Sequence, residues 1–215
     1  MSSADPHKGG RVLAAGAALG DARLAMVMRH GRGAGAADIL GLSEVIDRPD
    51  VAFLAPEANG NVWYPRSFTA PVETNEPWLS SALKLVGMFL ASLASRSLPP
   101  ERTILLGFSQ GACLALTFAA RNPMRYGGVA ALSGALIGAE ILPEDYGGSL
   151  AGTPVFLGCS DVDPHIPIDR VRQSASIMRQ LGGDVTERVY PGFGHAINEG
   201  EITVIRGTID RIAAA

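Results

Sequence analysis

The sequence predicts an α/β fold: one domain in which a mostly parallel sheet is covered by helices on both faces. Short apolar runs of strand length alternate with longer stretches of helical period, the order that builds such a sheet. Hydrophobic residues make up 47% of the chain and charged residues 18%, which suits strands buried on both sides. A length of 215 residues supplies one sizeable core and is short for two. No internal repeat, linker or inserted second domain is visible. Residues 1–10, polar and containing two glycines, read as a flexible N-terminal tail, and 11–215 as the folded domain.

The elements follow in order. Arg11 to Ala17 and Leu24 to Met28 read as strands, then a glycine-rich loop leads into an alanine-rich helix from about Ala36 to Ile46. Val51 to Leu54 is the next strand. Residues 55–75 show no period, and a loop of that length inside a compact domain is usually functional, which makes it a candidate substrate wall. Between Glu76 and Ser97, Leu79, Leu83, Val86, Leu90 and Leu93 recur at helical spacing until Pro99-Pro100 ends the run. Thr103 to Leu106 is a buried strand and Gln110 to Arg121 an apolar helix that stops near Asn122-Pro123. Gly128 to Leu132 and Pro154 to Gly158 are strands. Ile168, Val171, Ala175 and Met178 mark a helix opened by Pro167 and closed by Gly182-Gly183. Val185 to Tyr190 is the last strand, and a helix from about Asn198 carries Ile202, Ile205, Ile209 and Ile212 on one face.

Between strand 103–106 and its helix lies Gly107-Phe108-Ser109-Gln110-Gly111, a Gly-x-Ser-x-Gly pattern in the context of a nucleophile elbow. A chain with 26 glycines matches three such positions by chance often enough that the flanking elements must carry the argument. A serine hydroxyl needs a base to take its proton and a carboxylate to orient that base. Of the four histidines, His195 lies beyond the last strand, where the order serine, acid, histidine requires it. The acid belongs in 158–167, which holds Asp161 and Asp163; two residues apart in an extended loop, they face opposite ways. Asp163, nearer the helix start at Pro167, is the favoured choice, with Asp161 as the alternative or as a loop hydrogen-bonding residue. Two backbone amides must also face the developing oxyanion. That of Gln110 opens the helix after Ser109, and that of Arg32 lies in His30-Gly31-Arg32-Gly33. The Arg32 side chain reads as a solvated charge or as a holder of an anionic substrate.

The net charge is −3 and the basic residues are scattered, so no stripe for nucleic acid is present, and small molecules are the expected partners. Cys113 and Cys159 have no metal-site or disulfide spacing and read as free thiols. No secretory signal and no apolar run long enough to span a bilayer occur, so a cytoplasmic location is expected. Oligomeric state is not legible.

His30-Gly-Arg-Gly, Gly107-Phe-Ser-Gln-Gly, Asp163-Pro-His-Ile-Pro and Gly192-Phe-Gly-His, in that order, resemble the phospholipase/carboxylesterase family of small α/β-hydrolases, which includes bacterial carboxylesterases and acyl-protein thioesterases. The resemblance implies an α/β-hydrolase fold without a large lid domain, no metal or organic cofactor, and ester or thioester substrates of modest acyl length. It also implies that Trp63, in the family's aromatic loop motif, helps shape the substrate groove. From the residues themselves, Trp63, Tyr64, Phe68 and Trp78 suggest an apolar wall, and Tyr64 joins Trp63 as a substrate-binding candidate. Arg29 departs from the pattern, standing where the family usually has an apolar residue.

Two rival functions remain. Gly31-Arg-Gly33-Ala-Gly-Ala36 fits a dinucleotide-binding fingerprint with Glu57 after the next strand, the mark of a Rossmann-like oxidoreductase, but this explains neither the elbow nor the Gly-Phe-Gly-His loop. A non-catalytic binding protein on the same fold would be expected to have lost a member of the serine, acid, histidine set, and all three are present.

Overall fold

The structure, a computed structural model, describes residues 5–214. Seven strands form one sheet in the order β1-β3-β2-β4-β5-β6-β7: β1 Val12–Gly16, β2 Leu24–Arg29, β3 Val51–Pro56, β4 Thr103–Phe108, β5 Gly128–Leu132, β6 Pro154–Ser160 and β7 Asp184–Tyr190. β1 runs antiparallel to β3, and every other pairing is parallel.

Alternation along the strands divides the core into two layers. On β2, Ala25 and Val27 join the cluster under α3 (Trp78–Ala94), α4 (Gln110–Arg121) and α5 (Ile168–Gln180), while Leu24, Met26 and Met28 join the opposite one. That second cluster lies under α1 (Ala36–Leu40), α2 (Leu42–Ile46) and α6 (Glu199–Ala213). The same period of two recurs on β4, where Leu105 faces one layer and Ile104 and Leu106 the other. Burial on both faces is why these strands read as continuous apolar runs. The edge strands β1 and β7 alternate between exposed and half-buried residues instead.

Three expectations are revised. The helix expected over 36–46 is two five-residue pieces meeting at Gly41, which is at once the C-cap of α1 and the N-cap of α2. The loop 55–75 contains short 3-10 turns at Asn59–Asn61 and Val72–Asn75. Of the expected flexible tail, residues 1–4 lie outside the described residues, and residues 5–10 are anchored to the domain. His7 is only 1% exposed, its backbone N–H donates to Ser81 Oγ at 3.0 Å, and its ring lies 3.0 Å from the Trp63 carbonyl. A neutral imidazole that can donate on one nitrogen and accept on the other is readily buried when both are matched, and its Nδ1 accepts from the Asn59 N–H.

The chain proceeds from β2 outward to β3 and then back across to β4, so the strand order reverses between β2 and β4. The carboxyl ends of these neighbours open the crevice in which such sheets bind ligands.

Candidate active site

β4 ends in a turn that only glycine flanks can make. A Cβ on Gly107 would lie 2.2 Å from the backbone of Gly111, and one on Gly111 would lie 2.2 Å from the Arg29 carbonyl. Both glycines are there for close approach, since neither has a positive φ. The residue with positive φ is Ser109 itself, at φ 54° and ψ −118°, a strained conformation for a residue with a side chain. Its N–H donates to the Leu132 carbonyl at 2.9 Å, and its own carbonyl accepts from Cys113 at 3.0 Å in the first turn of α4.

The loop after β7 brings His195 to the elbow: His195 Nε2 is 2.9 Å from Ser109 Oγ, and Nδ1 is 2.7 Å from Asp163 Oδ2. Asp163 Oδ1 accepts from the backbone N–H groups of His165 at 2.8 Å and Ile166 at 3.0 Å. Burial opposes charge on this carboxylate, whose side chain is fully covered, yet the His195 and backbone hydrogen bonds hold it below the ordinary carboxylate range. Of the two candidate aspartates, Asp163 therefore meets the imidazole. Asp161 accepts from the Gly192 N–H at 2.8 Å, and Ser160 Oγ accepts from Gly194 at 3.0 Å, so both brace the loop that carries His195. Ser160 carries no sequence signal beyond its place at a strand's end.

Ser109, Gln110, Gly31 and Arg32 border one cleft of about 390 Å³, whose walls include Tyr64, Phe68, Phe108 and Ile166. His165 also borders it, its ring edge-on to His195 with centroids 4.8 Å apart. Trp63 is not on the wall. It is 1% exposed, donates its indole N–H to the His30 carbonyl at 2.9 Å, and packs between the rings of His7 and His30. An indole buried with its one donor matched is support for the wall, a role that the motif alone does not separate from ligand contact. Nor is the Arg32 guanidinium free for an anionic substrate, because it donates to the carbonyls of Tyr64, Pro65 and Arg66.

Both cysteines are buried, and burial pushes the Cys113 thiol up to about 11 and the Cys159 thiol up to about 12, so neither is a thiolate at neutral pH. Among the described residues no group of three or more His, Cys, Asp or Glu could hold a metal ion. Glu57, the acid of the nucleotide-binding reading, accepts from the Ala36 N–H at 3.2 Å at the start of α1. Arg29, the departure from the family pattern, is wholly buried with no hydrogen-bond partner for its guanidinium among the described residues, and burial pushes its pKa down to about 9.

The sequence profile of the Phospholipase/Carboxylesterase family matches residues 22–212. A crystal structure of a phospholipase/carboxylesterase from Dyadobacter fermentans is 42% identical, covers 94% of this chain and 96% of its own, and superposes with a TM-score of 0.89. Esterase PE8 is 28% identical with a TM-score of 0.76, over 94% of this chain and 98% of its own. Acyl-protein thioesterase 1 of Debaryomyces hansenii is 31% identical over 129 residues, 60% of this chain. That match spans only 56% of the yeast protein. No helix among the described residues is long and apolar enough to cross a membrane. Neither the oxidoreductase nor the non-catalytic reading finds support among these relatives, and the chain belongs to the phospholipase/carboxylesterase family of α/β-hydrolases.

Proposed function

We propose that the protein cleaves carboxylic esters or thioesters of small molecules through an acyl-enzyme on Ser109. The observation that carries this is the line Ser109 Oγ, His195 Nε2, His195 Nδ1 and Asp163 Oδ2, with contacts of 2.9 and 2.7 Å. Ser109 Oγ attacks the acyl carbonyl as His195 takes its proton. The backbone N–H groups of Arg32 and Gln110 hold the oxyanion of the tetrahedral intermediate. His195 then donates its proton to the departing alcohol or thiol, and water, activated by the same imidazole, releases the acid. Asp163 keeps the ring in the tautomer that leaves Nε2 free to accept, and stabilises the imidazolium that forms.

The test is reaction with an alkyl fluorophosphonate. One equivalent should attach to Ser109 in the wild-type protein and none in Ser109→Ala or His195→Ala, whose ester turnover should fall by on the order of a millionfold. A wild-type protein that hydrolyses esters but labels at another residue, or not at all, would overturn the assignment.

A further inference from the structure

We infer that Trp63–Arg66 is a positioning strap that sets the distance between the two amides proposed to hold the oxyanion, with the side chains of Arg32 and Gln110 as its two buckles. The inference rests on that reading of Arg32 and Gln110. These residues sit on different loops, 78 positions apart by subtraction of their numbers, yet both spend their side chains on the same four residues. Gln110 Oε1 accepts from the Trp63 N–H at 2.9 Å, and its Nε2 donates to the Tyr64 carbonyl at 2.8 Å. Arg32 Nη2 donates to that same Tyr64 carbonyl at 2.9 Å and to the Arg66 carbonyl at 2.7 Å, while Nη1 donates to the Pro65 carbonyl at 3.0 Å. The Arg32 guanidinium also lies 6.0 Å from the centre of the Tyr64 ring.

The physical need is clear from the loop that carries Arg32. Gly31, Gly33 and Gly35 leave its backbone many conformations, and Gly33 is already at φ +80°. Oxyanion donors act only when held about 2.7–3.1 Å from the developing charge, and a misplacement of about 1 Å can cost on the order of a hundredfold in rate. One carbonyl accepting from both residues ties this glycine-rich loop, which is otherwise held by Asn61 (Gly33 N–H to the Asn61 carbonyl and Asn61 Nδ2 to the Ala34 carbonyl, each at 2.8 Å), to the start of α4. Only arginine offers a planar fork able to reach three carbonyls at once. Tyr64 also borders the acyl cleft, so a chain seated against it bears on the strap, and acyl fit should register in turnover as well as in binding.

The experiment compares wild type with Arg32→Ala, Arg32→Lys, Gln110→Ala and the double variant, all of which retain both backbone amides. Measured are kcat and KM for a p-nitrophenyl ester, inhibition by an alkyl trifluoromethyl ketone, which forms a tetrahedral oxyanion on the serine, and the melting temperature. Arg32→Ala should lower kcat by about tenfold to a hundredfold with KM within about twofold. Ketone affinity should fall by the same factor, and Arg32→Lys should recover part of both. The double variant should lose less than the product of the single losses, because both side chains act on one strap. Folded Arg32→Ala with unchanged kcat and ketone affinity, or with a loss confined to KM, would overturn the strap. Should Gln110→Ala fail to fold, the exposed Arg32 variants still decide the matter. Normal fluorophosphonate labelling of wild-type Ser109 beside such a null result would remove the strap alone, whereas no labelling at all would remove the reading beneath it.

Discussion

Asp161 and Asp163 differ by two positions and by almost everything in their surroundings. Asp163 is buried beneath His195 with both oxygens engaged, whereas Asp161 is exposed and accepts one loop amide. Asp163→Asn should therefore reduce kcat by about ten thousandfold through the wrong imidazole tautomer, and Asp161→Asn by less than about tenfold. Steady-state kinetics on the two variants checks this, and equal losses would remove the distinction. The chain order of Ser109, acid and His195 was legible because each residue type is placed by the strand before it. The side on which an aspartate points depends on the loop's φ and ψ, which no residue spacing encodes. Arg29 belongs to the same scale. Its buried charge, without a hydrogen-bond partner among the described residues, is a cost to the fold, and Arg29→Met should stabilise the protein by about 1–4 kcal/mol at pH 7. Its folded-state pKa is pushed down to about 9, so the unfolded chain holds the proton more tightly. The variant's advantage is then full below pH 9 and shrinks above it, as the folded wild type sheds the proton. Thermal melts of both proteins from pH 7 to 10 read this directly, and a pH-independent difference would contradict it.

The start of α6 shows the same coupling of local structure to pH in one element. Asn198 accepts from the Glu201 N–H at 3.1 Å, and Glu201 Oε2 accepts from the Asn198 N–H at 3.0 Å, a reciprocal cap. The other carboxylate oxygen is pressed against β6, where a Cβ on Gly158 would approach it to 2.2 Å. Burial raises the Glu201 pKa to about 7 against the opposing Asn198 hydrogen bond. Between its unfolded value and about 7 the folded state holds a proton that the unfolded chain releases, so this residue's contribution to stability falls as pH rises through that window. Glu201→Gln keeps the cap without the charge. It should raise the melting temperature more at pH 8 than at pH 5; an equal change at both would refute the assignment. The helix was legible from Ile202, Ile205 and Ile209, all buried. The burial of Glu201 was not, because a glutamate at that turn of a helix is ordinarily solvated and only the absence of a side chain at Gly158 admits it.

At the scale of the molecule, the cleft is assembled from segments that follow β2, β3, β4, β6 and β7 at one end of the sheet. Tyr64, Phe68, Phe108 and Ile166 line it, so an acyl chain of the proposed substrate seated there would gain about 0.8 kcal/mol per methylene buried. For p-nitrophenyl esters of increasing chain length, kcat/KM should rise roughly fourfold per added methylene and then fall once the cleft is full. A series flat from acetate onward would show that the acyl chain lies elsewhere. The loop 55–75 was legible as a candidate wall because it had no period of its own. Which aromatic borders the cleft was not: Tyr64 does, and Trp63 lies behind it.

The sequence by itself determined the α/β class, the succession of strands and helices, the elbow at Ser109 and the histidine at the required end of the sheet. These follow from periodicities and short-range sterics that act within a few residues. Only the tertiary structure decided which aspartate meets His195, that His7 is buried, that Arg29 and Glu201 are buried, and that Arg32 and Gln110 grip one backbone segment. Each of these depends on groups brought together from distant parts of the chain, where desolvation and hydrogen-bond geometry are set by what lies across the contact.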